Sequence, residues 1–230
     1  MAVRHTTSEP GLRGRTVVIT RPAGAGSAMA RQVRRLGGVP FLLPGLSLRE
    51  VDDPGQAAIA LGTALADDLL VFTSPAAVRF AARLVPLRTQ ATVLAVGQGT
   101  ALALRLHGVG TPLAPAQRQD SEGLLDHPAL TDLHGRRVAL IGAAGGRGVL
   151  RAELATRGAQ LREVHVYRRV PPRWQRRQLQ AVAALSPDAR VLLSSAEALG
   201  CLREGLPLAA YAALTGAIAV VSSERLAGAA

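Results

Sequence analysis

The sequence predicts an α/β fold in which parallel β-sheets are covered by helices on both faces. Three observations support this prediction. Short apolar runs alternate with segments of helical period, glycines follow several of those segments, and one pattern occurs twice along the chain. The apolar runs do not alternate with polar residues, which is typical of strands buried on both faces of a parallel sheet.

The predicted elements alternate along the whole chain. Helical period is clearest over residues 28–36 and 149–154, where small and aliphatic residues recur every three or four positions. Gly37 and Gly158 follow these two segments and predict their ends. The predicted strands lie at residues 16–20, 39–43, 69–73, 92–96, 137–141, 161–166, 190–193 and 217–221.

One pattern recurs at an offset of 121 residues, from Gly14 to Gly135. At both positions a glycine-arginine turn precedes an apolar strand. The same offset aligns residues 71–74 with 192–195, which are apolar residues followed by two hydroxyl residues. Because a single register holds over separate motifs, the sequence predicts a duplicated unit.

Two proline-containing breaks indicate the domain organisation. Pro44-Gly45 and Pro171-Pro172 follow equivalent strands of the two repeats and predict rigid, non-helical connectors. If the chain passes from one domain to the other at both connectors, one domain consists of residues 13–44 and 172–230, and the other of residues 50–168. Residues 1–12 are then a disordered lead-in. Two consecutive domains are the alternative that the sequence leaves open.

The positive charge is carried by arginine alone, since the formal net charge is +11 and the sequence contains no lysine. Without lysine, the protein has no Schiff-base chemistry, no anchor for pyridoxal phosphate and no P-loop. Arginine suits carboxylates and phosphates, so an acidic small molecule or a nucleic acid is the expected partner. The arginine clusters at 31–35 and 173–177 include only Trp174 as a stacking platform, which disfavours nucleic acid, and solvated helix faces explain them equally well.

Several catalytic classes lack their characteristic residues. The five histidines have no metal-ligand spacing, and the patterns beginning at Gly24 and Gly97 lack the third glycine and the acidic residue of a dinucleotide site. No nucleophile elbow is present. The sequence therefore predicts neither metal nor cofactor. The single cysteine, Cys201, favours a cytoplasmic location, and no apolar run is long enough to cross a membrane.

Five loops that follow predicted strands carry small or hydroxyl residues. Ligands of an open parallel sheet bind beyond the carboxyl ends of its strands, and free N–H groups at helix N-termini attract anions. Each hydroxyl taken singly is well explained as an N-cap, so the prediction of binding depends on their convergence. The candidate binding residues in these loops are Thr20, Arg21, Thr73, Ser74, Gly97, Thr100, Gly145, Ser194 and Ser195.

A series of five motifs resembles that of the uroporphyrinogen-III synthase family. The order and spacing of the motifs agree from about Gly14 to Ala227, which is nearly the whole chain. Each motif is weak alone and the series is more specific. The motifs are Thr20-Arg21-Pro22, Phe72-Thr73-Ser74-Pro75 with Val78, Val96-Gly97 with Thr100-Ala101, Ser121-Glu122-Gly123-Leu124, and Val166-Tyr167-Arg168-Arg169-Val170-Pro171-Pro172.

The resemblance implies a fold and an activity. The fold would be two flavodoxin-like parallel-sheet domains with discontinuous topology, joined by a two-connector hinge, with the active site in the cleft between them. The activity would be that of a lyase of tetrapyrrole biosynthesis, which cyclises hydroxymethylbilane to uroporphyrinogen III with inversion of the last pyrrole and without a cofactor. Family members generally act as monomers. Relative to the family, the first domain is expected to be short at its C-terminus, leaving part of its sheet uncovered.

The resemblance also extends the set of candidate residues. Ser121 joins the binding residues, and Tyr167 becomes a candidate general acid for the departing hydroxyl group; a tyrosine with its ring in the core and its hydroxyl in water is the alternative for this position. Two other functions stay open. One is a non-enzymatic bilobal module that binds an acidic small molecule, and the other is an arginine-rich nucleic-acid binder. A small-molecule partner, without nucleic acid or membrane, is the predicted one.

Overall fold

The computed structural model describes residues 11–145, 148–221 and 224–228. Most of the predicted lead-in, residues 1–12, lies outside the described residues. Its last residue, Leu12, donates its N–H to the carbonyl of Leu36 at 2.9 Å and packs against the apolar cluster that contains Val17. The folded unit therefore includes Leu12, one residue before the predicted boundary.

Strands and helices alternate through most of the described chain. The strands are β1 Thr16–Ile19, β2 Val39–Leu42, β3 Ser47–Arg49, β4 Leu69–Phe72, β5 Thr92–Ala95, β6 Arg137–Ala143, β7 Gln160–Val170, β8 Arg190–Leu192 and β9 Ile218–Val220. The helices are α1 Ser27–Arg35, α2 Pro54–Ala64, α3 Pro75–Leu84, α4 Gln98–Leu106, α5 Ser121–Leu125, α6 Val149–Thr156, α7 Arg176–Ala183, α8 Ala196–Gly205, α9 Leu208–Thr215 and α10 Glu224–Ala227, with a 3-10 helix at Pro128–Leu130.

The predicted strands are all present. Most of them end within a residue or two of the predicted position, whereas β7 continues to Val170. The sequence does not predict β3, because its three residues contain no apolar run from which a strand could be recognised.

The chain divides into two compact units. One contains the residues up to Leu48 together with those from Val170 onward, and the other contains Arg49–Arg169. We call them the four-stranded unit and the five-stranded unit after their sheets. The predicted connectors, Pro44-Gly45 and Pro171-Pro172, lie a few residues from the two points where the chain passes from one unit to the other.

The sheet of the four-stranded unit has the order β2-β1-β8-β9, and all of its pairings are parallel. On one face, Val17 and Ile19 of β1 pack against Ala30 and Val33 of α1. On the other face, Val18 belongs to a core built with helices α7, α8 and α9. Burial on both faces explains why β1 reads as an uninterrupted apolar run.

Strand β9 forms one edge of this sheet, and its side chains are exposed. Ile218 retains 48% of its accessible surface and Val220 retains 40%. An edge strand with exposed aliphatic side chains can pair with another chain.

The sheet of the five-stranded unit has the order β3-β7-β6-β4-β5. The pairings of β4 with β5, β4 with β6 and β6 with β7 are parallel. Its core includes Leu69 and Val71 of β4, Val138 of β6, and Leu150 and Leu154 of α6. The last two are the residues whose spacing predicts a helix over 149–154.

The offset of 121 residues relates the elements of the two units. It aligns β1 and β2 with the first residues of β6 and β7, and β4 with β8. It also aligns α3 with α8, and the bounds of these two helices agree to the residue. In the sheets, the order β2-β1-β8 corresponds to the order β7-β6-β4. Each sheet therefore takes strands from both repeats, which confirms the repeat register predicted from the sequence.

Candidate functional site

A pocket with a volume of about 310 Å³ lies near the carboxyl ends of β4 and β6 in the five-stranded unit. Of the residues singled out by the sequence, Thr73, Ser74, Ser121, Gly145 and Tyr167 line it. Ligands of parallel sheets bind at this end of the strands. The volume is at the lower end of small-molecule pockets, which span about 300 to 1,000 Å³.

Thr73 stands at the start of the loop after β4. Its hydroxyl donates a hydrogen bond to the carbonyl of Ile141 at 3.2 Å. Gly142 lies directly against it, because a Cβ atom at position 142 would overlap Thr73 Oγ1. The absence of a side chain at Gly142 therefore lets the Thr73 hydroxyl form part of the pocket wall.

Tyr167 of β7 is 6% exposed, and its phenol reaches the pocket beside α3. The phenol oxygen lies 3.3 Å from Ser74 Oγ. Ser74 is the N-cap of α3 and accepts the N–H of Ala77 at 3.0 Å. The Phe80 ring stacks on the tyrosine ring, with 5.3 Å between centroids. Tyr167 thus has a packed ring and a hydrogen-bonded hydroxyl at the pocket wall, a geometry compatible with both predicted alternatives.

Charged side chains of β7 line the same pocket, and they are not among the binding residues predicted from the sequence. Glu163, His165, Tyr167 and Arg169 of β7 all line it, although a shift in the pairing with β6 interrupts the regular alternation between His165 and Tyr167. Arg151 of α6 joins them, with Nη1 3.6 Å from one oxygen of Glu163, while His165 Nε2 lies 3.9 Å from the other. The alternation of Glu163 and His165 with the buried Val164 and Val166 is the sequence signal that indicates this face.

The loop after β6 contacts the guanidinium group of Arg169, which lines the pocket. Arg169 donates from Nη2 to the carbonyl of Ala144 at 2.8 Å. Gly145 has a φ of +76°, a left-handed conformation that favours glycine, and a Cβ there would lie 3.4 Å from the Arg169 guanidinium. This loop belongs to the glycine-rich segment 142–148, of which 146 and 147 lie outside the described residues.

Ser121 is held by a turn that needs glycine two positions later. Asp120 caps α5 by accepting the N–H of Gly123 at 2.8 Å. A Cβ at position 123 would overlap the carbonyl oxygen of Arg118. This close approach explains the glycine in the motif that begins at Ser121.

Gly97 and Thr100 do not line this pocket. Gly97 is the N-cap of α4, and Thr100 is buried within that helix, with 4% of its surface exposed. The side-chain oxygen of Gln119 accepts the N–H of Gln98 at the start of α4. One of the N–H groups predicted to attract an anion is therefore already hydrogen-bonded to a side chain of the protein.

Thr20, Arg21, Ser194 and Ser195 belong to the four-stranded unit. Thr20 is fully buried, and its hydroxyl donates to the carbonyl of Leu192 at 2.8 Å, while Ser194 Oγ donates to the carbonyl of Thr20 at 3.2 Å. Ser195 caps α8 by accepting a backbone N–H at 3.1 Å. Arg21 is exposed. The Thr20 hydroxyl thus joins β1 to β8, which is a structural role.

Nucleic-acid binding, metal chemistry and membrane insertion would each need a particular feature of the structure. The indole N–H of Trp174 donates to the carbonyl of Pro44 at 2.9 Å, and the ring packs on the core of the four-stranded unit, so it is not a free platform for a base. Over the residues that the structure describes, no group of three or more His, Cys, Asp or Glu side chains could hold a metal ion. No helix in that part of the chain is both long and apolar enough to span a membrane.

Two solved structures share the fold of this chain. A mutant uroporphyrinogen III synthase from Thermus thermophilus has a TM-score of 0.61 at 22% identity, over 94% of this chain and 88% of that one. The uroporphyrinogen-III synthetase from Helicobacter pylori 26695 has a TM-score of 0.55 at 15% identity, over 90% and 83%. At these identities the two structures show that the α/β fold with parallel sheets is shared.

Sequence comparison identifies the family. The uroporphyrinogen-III synthase of Escherichia coli (strain K12) is 30% identical over 191 residues, which cover 75% of this chain and 76% of that protein. The family model described as Uroporphyrinogen-III synthase HemD matches residues 27–230. This match spans both units and all but the first of the motifs that carry the resemblance. The chain therefore belongs to the uroporphyrinogen-III synthase family.

Proposed function

We propose that this protein converts hydroxymethylbilane into uroporphyrinogen III and that the pocket of the five-stranded unit binds part of the substrate. Family membership makes the protein a cyclising lyase of tetrapyrrole biosynthesis. The observation that carries the pocket assignment is the Tyr167 phenol, which lines the same cavity as the guanidinium groups of Arg151 and Arg169.

The charges of the pocket suit a substrate with many carboxylates. Arginine binds carboxylates through paired, charge-assisted hydrogen bonds. Arg151 and Arg169 outnumber the one acidic side chain in the lining, Glu163. Gly148, Val149 and Leu150 at the start of α6 line the same pocket, and a helix N-terminus favours negative charge. A cavity of about 310 Å³ holds one end of a linear tetrapyrrole and not its four rings together.

The chemistry that follows depends mostly on positioning. Loss of the substrate hydroxyl as water leaves an electrophilic azafulvene, and the substituted carbon of the last pyrrole attacks it to form a spiro intermediate. That ring then opens and recloses with the last pyrrole inverted. Tyr167 donates a hydrogen bond to the departing hydroxyl as a general acid. The pocket holds the substrate in the geometry of the inverting closure, so that the uninverted closure does not compete.

We also propose that the two units are flavodoxin-like domains joined by two connectors, with residues 13–44 and 172–230 in one and residues 50–168 in the other. The sheet order supports this proposal, because β2-β1-β8-β9 matches the first four strands of the flavodoxin-like order 2-1-3-4-5. The sheet of the other unit, read as β5-β4-β6-β7, gives the same four-strand order, with β3 at its far edge. Action as a monomer, without cofactor and in the cytoplasm, stays a prediction. Thr20, Arg21, Gly97, Thr100, Ser194 and Ser195 lie outside this pocket, and their role in substrate binding stays a prediction.

The isomer of the product tests this function. The protein is incubated with hydroxymethylbilane generated enzymatically in the same tube, and the type I and type III isomers are separated after oxidation. We expect mainly the type III isomer, against a control without the protein that yields type I. Formation of type I alone would contradict the enzyme function, and saturable binding of the substrate without turnover would favour the non-enzymatic binding module.

Replacement of the phenol tests the assignment of Tyr167. Tyr167→Phe keeps the stacked ring and removes the hydroxyl, so we expect kcat to fall about 100-fold, at the lower end of general-acid contributions, with KM nearly unchanged. Steady-state kinetics on hydroxymethylbilane measures both constants. Unchanged turnover would remove Tyr167 from the mechanism and leave it as a core tyrosine.

A further inference from the structure

Two residues of α3 contact the Tyr167 side chain at different places. Ser74 Oγ lies 3.3 Å from the phenol oxygen. The Phe80 ring stacks on the phenol ring, with 5.3 Å between centroids and 16° between planes. Because Ser74 is the N-cap of α3 and Phe80 lies within that helix, a single rigid element sets both contacts.

The position of the phenol oxygen depends on Ser74. The Ser74 hydroxyl accepts the N–H of Ala77, which fixes its oxygen at the start of the helix. A serine hydroxyl has one hydrogen and two lone pairs, so Ser74 can donate its hydrogen to Tyr167 while it caps α3. The phenol hydrogen then stays available toward the pocket, as a general acid requires.

The direction of the phenol hydrogen depends on Phe80. A phenolic O–H lies in the plane of its ring, and the torsion that turns this plane is soft in tyrosine. A stacked neighbour restricts the plane. Phe80 also contacts a charged side chain of its own helix, since the guanidinium carbon of Arg83 lies 5.3 Å from the centroid of its ring. Arg83 Nη1 in turn lies 3.8 Å from a Glu50 oxygen.

The four-stranded unit shows that the helix does not need an aromatic residue at this position. The offset of 121 residues places Cys201 of α8 where α3 has Phe80, and Leu46 where β7 has Tyr167. Helices α3 and α8 nevertheless have the same length and the same serine cap. Phe80 and Tyr167 therefore occur as a pair in one unit only, on a framework that both units share.

We propose that Phe80 is a positioning residue for the reaction. Its ring fixes the plane of the Tyr167 phenol while Ser74 fixes the phenol oxygen, so that the hydroxyl hydrogen is directed at the departing group of the substrate. This inference rests on the proposed function, in which Tyr167 acts as the general acid.

The test uses Phe80→Leu and Phe80→Tyr, each in the parent protein and in Tyr167→Phe. Leu84→Ala is the matched control, because Leu84 lies one turn further along α3 and is also half-buried. We expect Phe80→Leu to lower kcat about tenfold with little change in KM, as for a misplaced reacting group. Phe80→Tyr retains an aromatic ring and should keep kcat near the parent value. Leu84→Ala should lower the melting temperature and leave kcat unchanged.

The double variant separates positioning from a general loss of structure. In the Tyr167→Phe background we expect Phe80→Leu to cause no further loss of kcat, since no hydroxyl remains for Phe80 to direct. A purely structural role would lower kcat by the same factor in both backgrounds. Equal losses in the two backgrounds, or parent-like kcat in Phe80→Leu, would overturn the inference.

The outcomes also distinguish this inference from the proposed function. A parent protein that forms only the type I isomer overturns the function before any variant is compared. A parent that forms the type III isomer, with a strong loss in Tyr167→Phe and an independent loss in Phe80→Leu, overturns the positioning role alone.

Discussion

The two units share a framework of hydrogen bonds and differ in the side chains that surround it. In the five-stranded unit the Thr73 hydroxyl bonds to the carbonyl of Ile141, and in the four-stranded unit the equivalent Ser194 bonds to the carbonyl of Thr20. Both bonds tie the end of a central strand to its neighbour. The comparison teaches that the hydroxyls after these strands serve the fold in both units, so that a hydroxyl at this place is not by itself evidence of a binding site.

The differences lie where the five-stranded unit has its pocket. Tyr167 and Phe80 have the counterparts Leu46 and Cys201, and Gly142 has the counterpart Arg21. The five-stranded unit therefore combines the common framework with an aromatic pair and an open strand end. This contrast locates the proposed chemistry in one unit and can be tested position by position.

The largest effect on stability is expected at the amino end of β4. Asp67 is buried and accepts a hydrogen bond from Arg162 at 2.9 Å, with Arg137 4.0 Å away. Asp67→Ala should lower the free energy of unfolding by about 2 to 3 kcal/mol, somewhat less than for a fully buried pair because the Arg162 side chain is partly exposed. Urea unfolding followed by circular dichroism measures the loss.

The control is Asp188→Ala at the equivalent position of the four-stranded unit. Asp188 is exposed, and a hydrogen bond from Ser186, helped by the charge of Arg15, lowers the pKa of its carboxyl. Its stabilising effect is present above the ordinary carboxylate pKa and is lost as the pH falls through the lowered value. At neutral pH we expect a much smaller change than for Asp67→Ala. Equal changes at the two positions would contradict the contrast in burial.

The next effect is expected from a side chain at the open strand end. Gly142→Ala places a methyl group against Thr73 Oγ1, so we expect Thr73 to rotate, with a loss of about 1 to 2 kcal/mol in stability and a higher KM. The four-stranded unit accommodates Arg21 opposite Ser194, which lacks the threonine methyl. Adding Thr73→Ser should therefore restore part of the stability and bring KM back toward the parent value. Thermal unfolding measures the stability and steady-state kinetics measures KM. If the double variant is no more stable than Gly142→Ala and has the same KM, positions 142 and 21 are not equivalent in the two units.

The two helix caps should contribute equally to stability. Ser74 caps α3 at 3.0 Å and Ser195 caps α8 at 3.1 Å. Replacing either serine with alanine should cost about 1 kcal/mol. Ser74→Ala should in addition lower kcat, because it removes the hydroxyl that contacts Tyr167. Hydrogen exchange of peptides from each unit measures the two stabilities. A much larger cost at one cap would show that the repeat does not preserve the local energetics.

The smallest effect concerns the thiol that replaces Phe80 in the other unit. Burial raises the pKa of Cys201, and the carboxylates of Glu197 and Glu204 raise it further. Since the thiolate is the reactive form, we expect iodoacetamide to modify native Cys201 several-fold more slowly at pH 8 than the same residue in urea, with a difference that narrows as the pH rises. Mass spectrometry over time follows the reaction. Equal rates in both conditions would contradict the shift.

The strands were predictable because burial on both faces requires a continuous run of apolar residues, which is visible in the local sequence. Strands such as β4 are covered on both faces, so all of their residues are apolar. The charged residues of β7 face outward or into the pocket, which hides the length of that strand, and β3 has too few residues for any period to show. The repeat register was also predictable, since a constant offset is a property of the sequence alone.

The candidate site was predictable only in part. Thr73 and Ser74 follow a recognisable strand, and Tyr167 lies in a motif. No local feature of the sequence connects Arg151, on a different helix, with Arg169 on β7, because their proximity arises from strand pairing. The sequence also offered no means to separate Thr100, buried within a helix, from the residues that line the pocket.

By itself, the sequence determined the alternation of strands and helices, the duplication, the absence of lysine chemistry and, through its motifs, the family. These features depend on residues close together in the chain or on a fixed offset between them. The tertiary structure alone decided that each sheet combines strands from both repeats, and that Tyr167 meets Ser74 and Phe80 at the edge of a cationic pocket. Strand order and side-chain contacts of this kind depend on packing between residues far apart in sequence, and hydrophobic period carries no information about which distant partners meet.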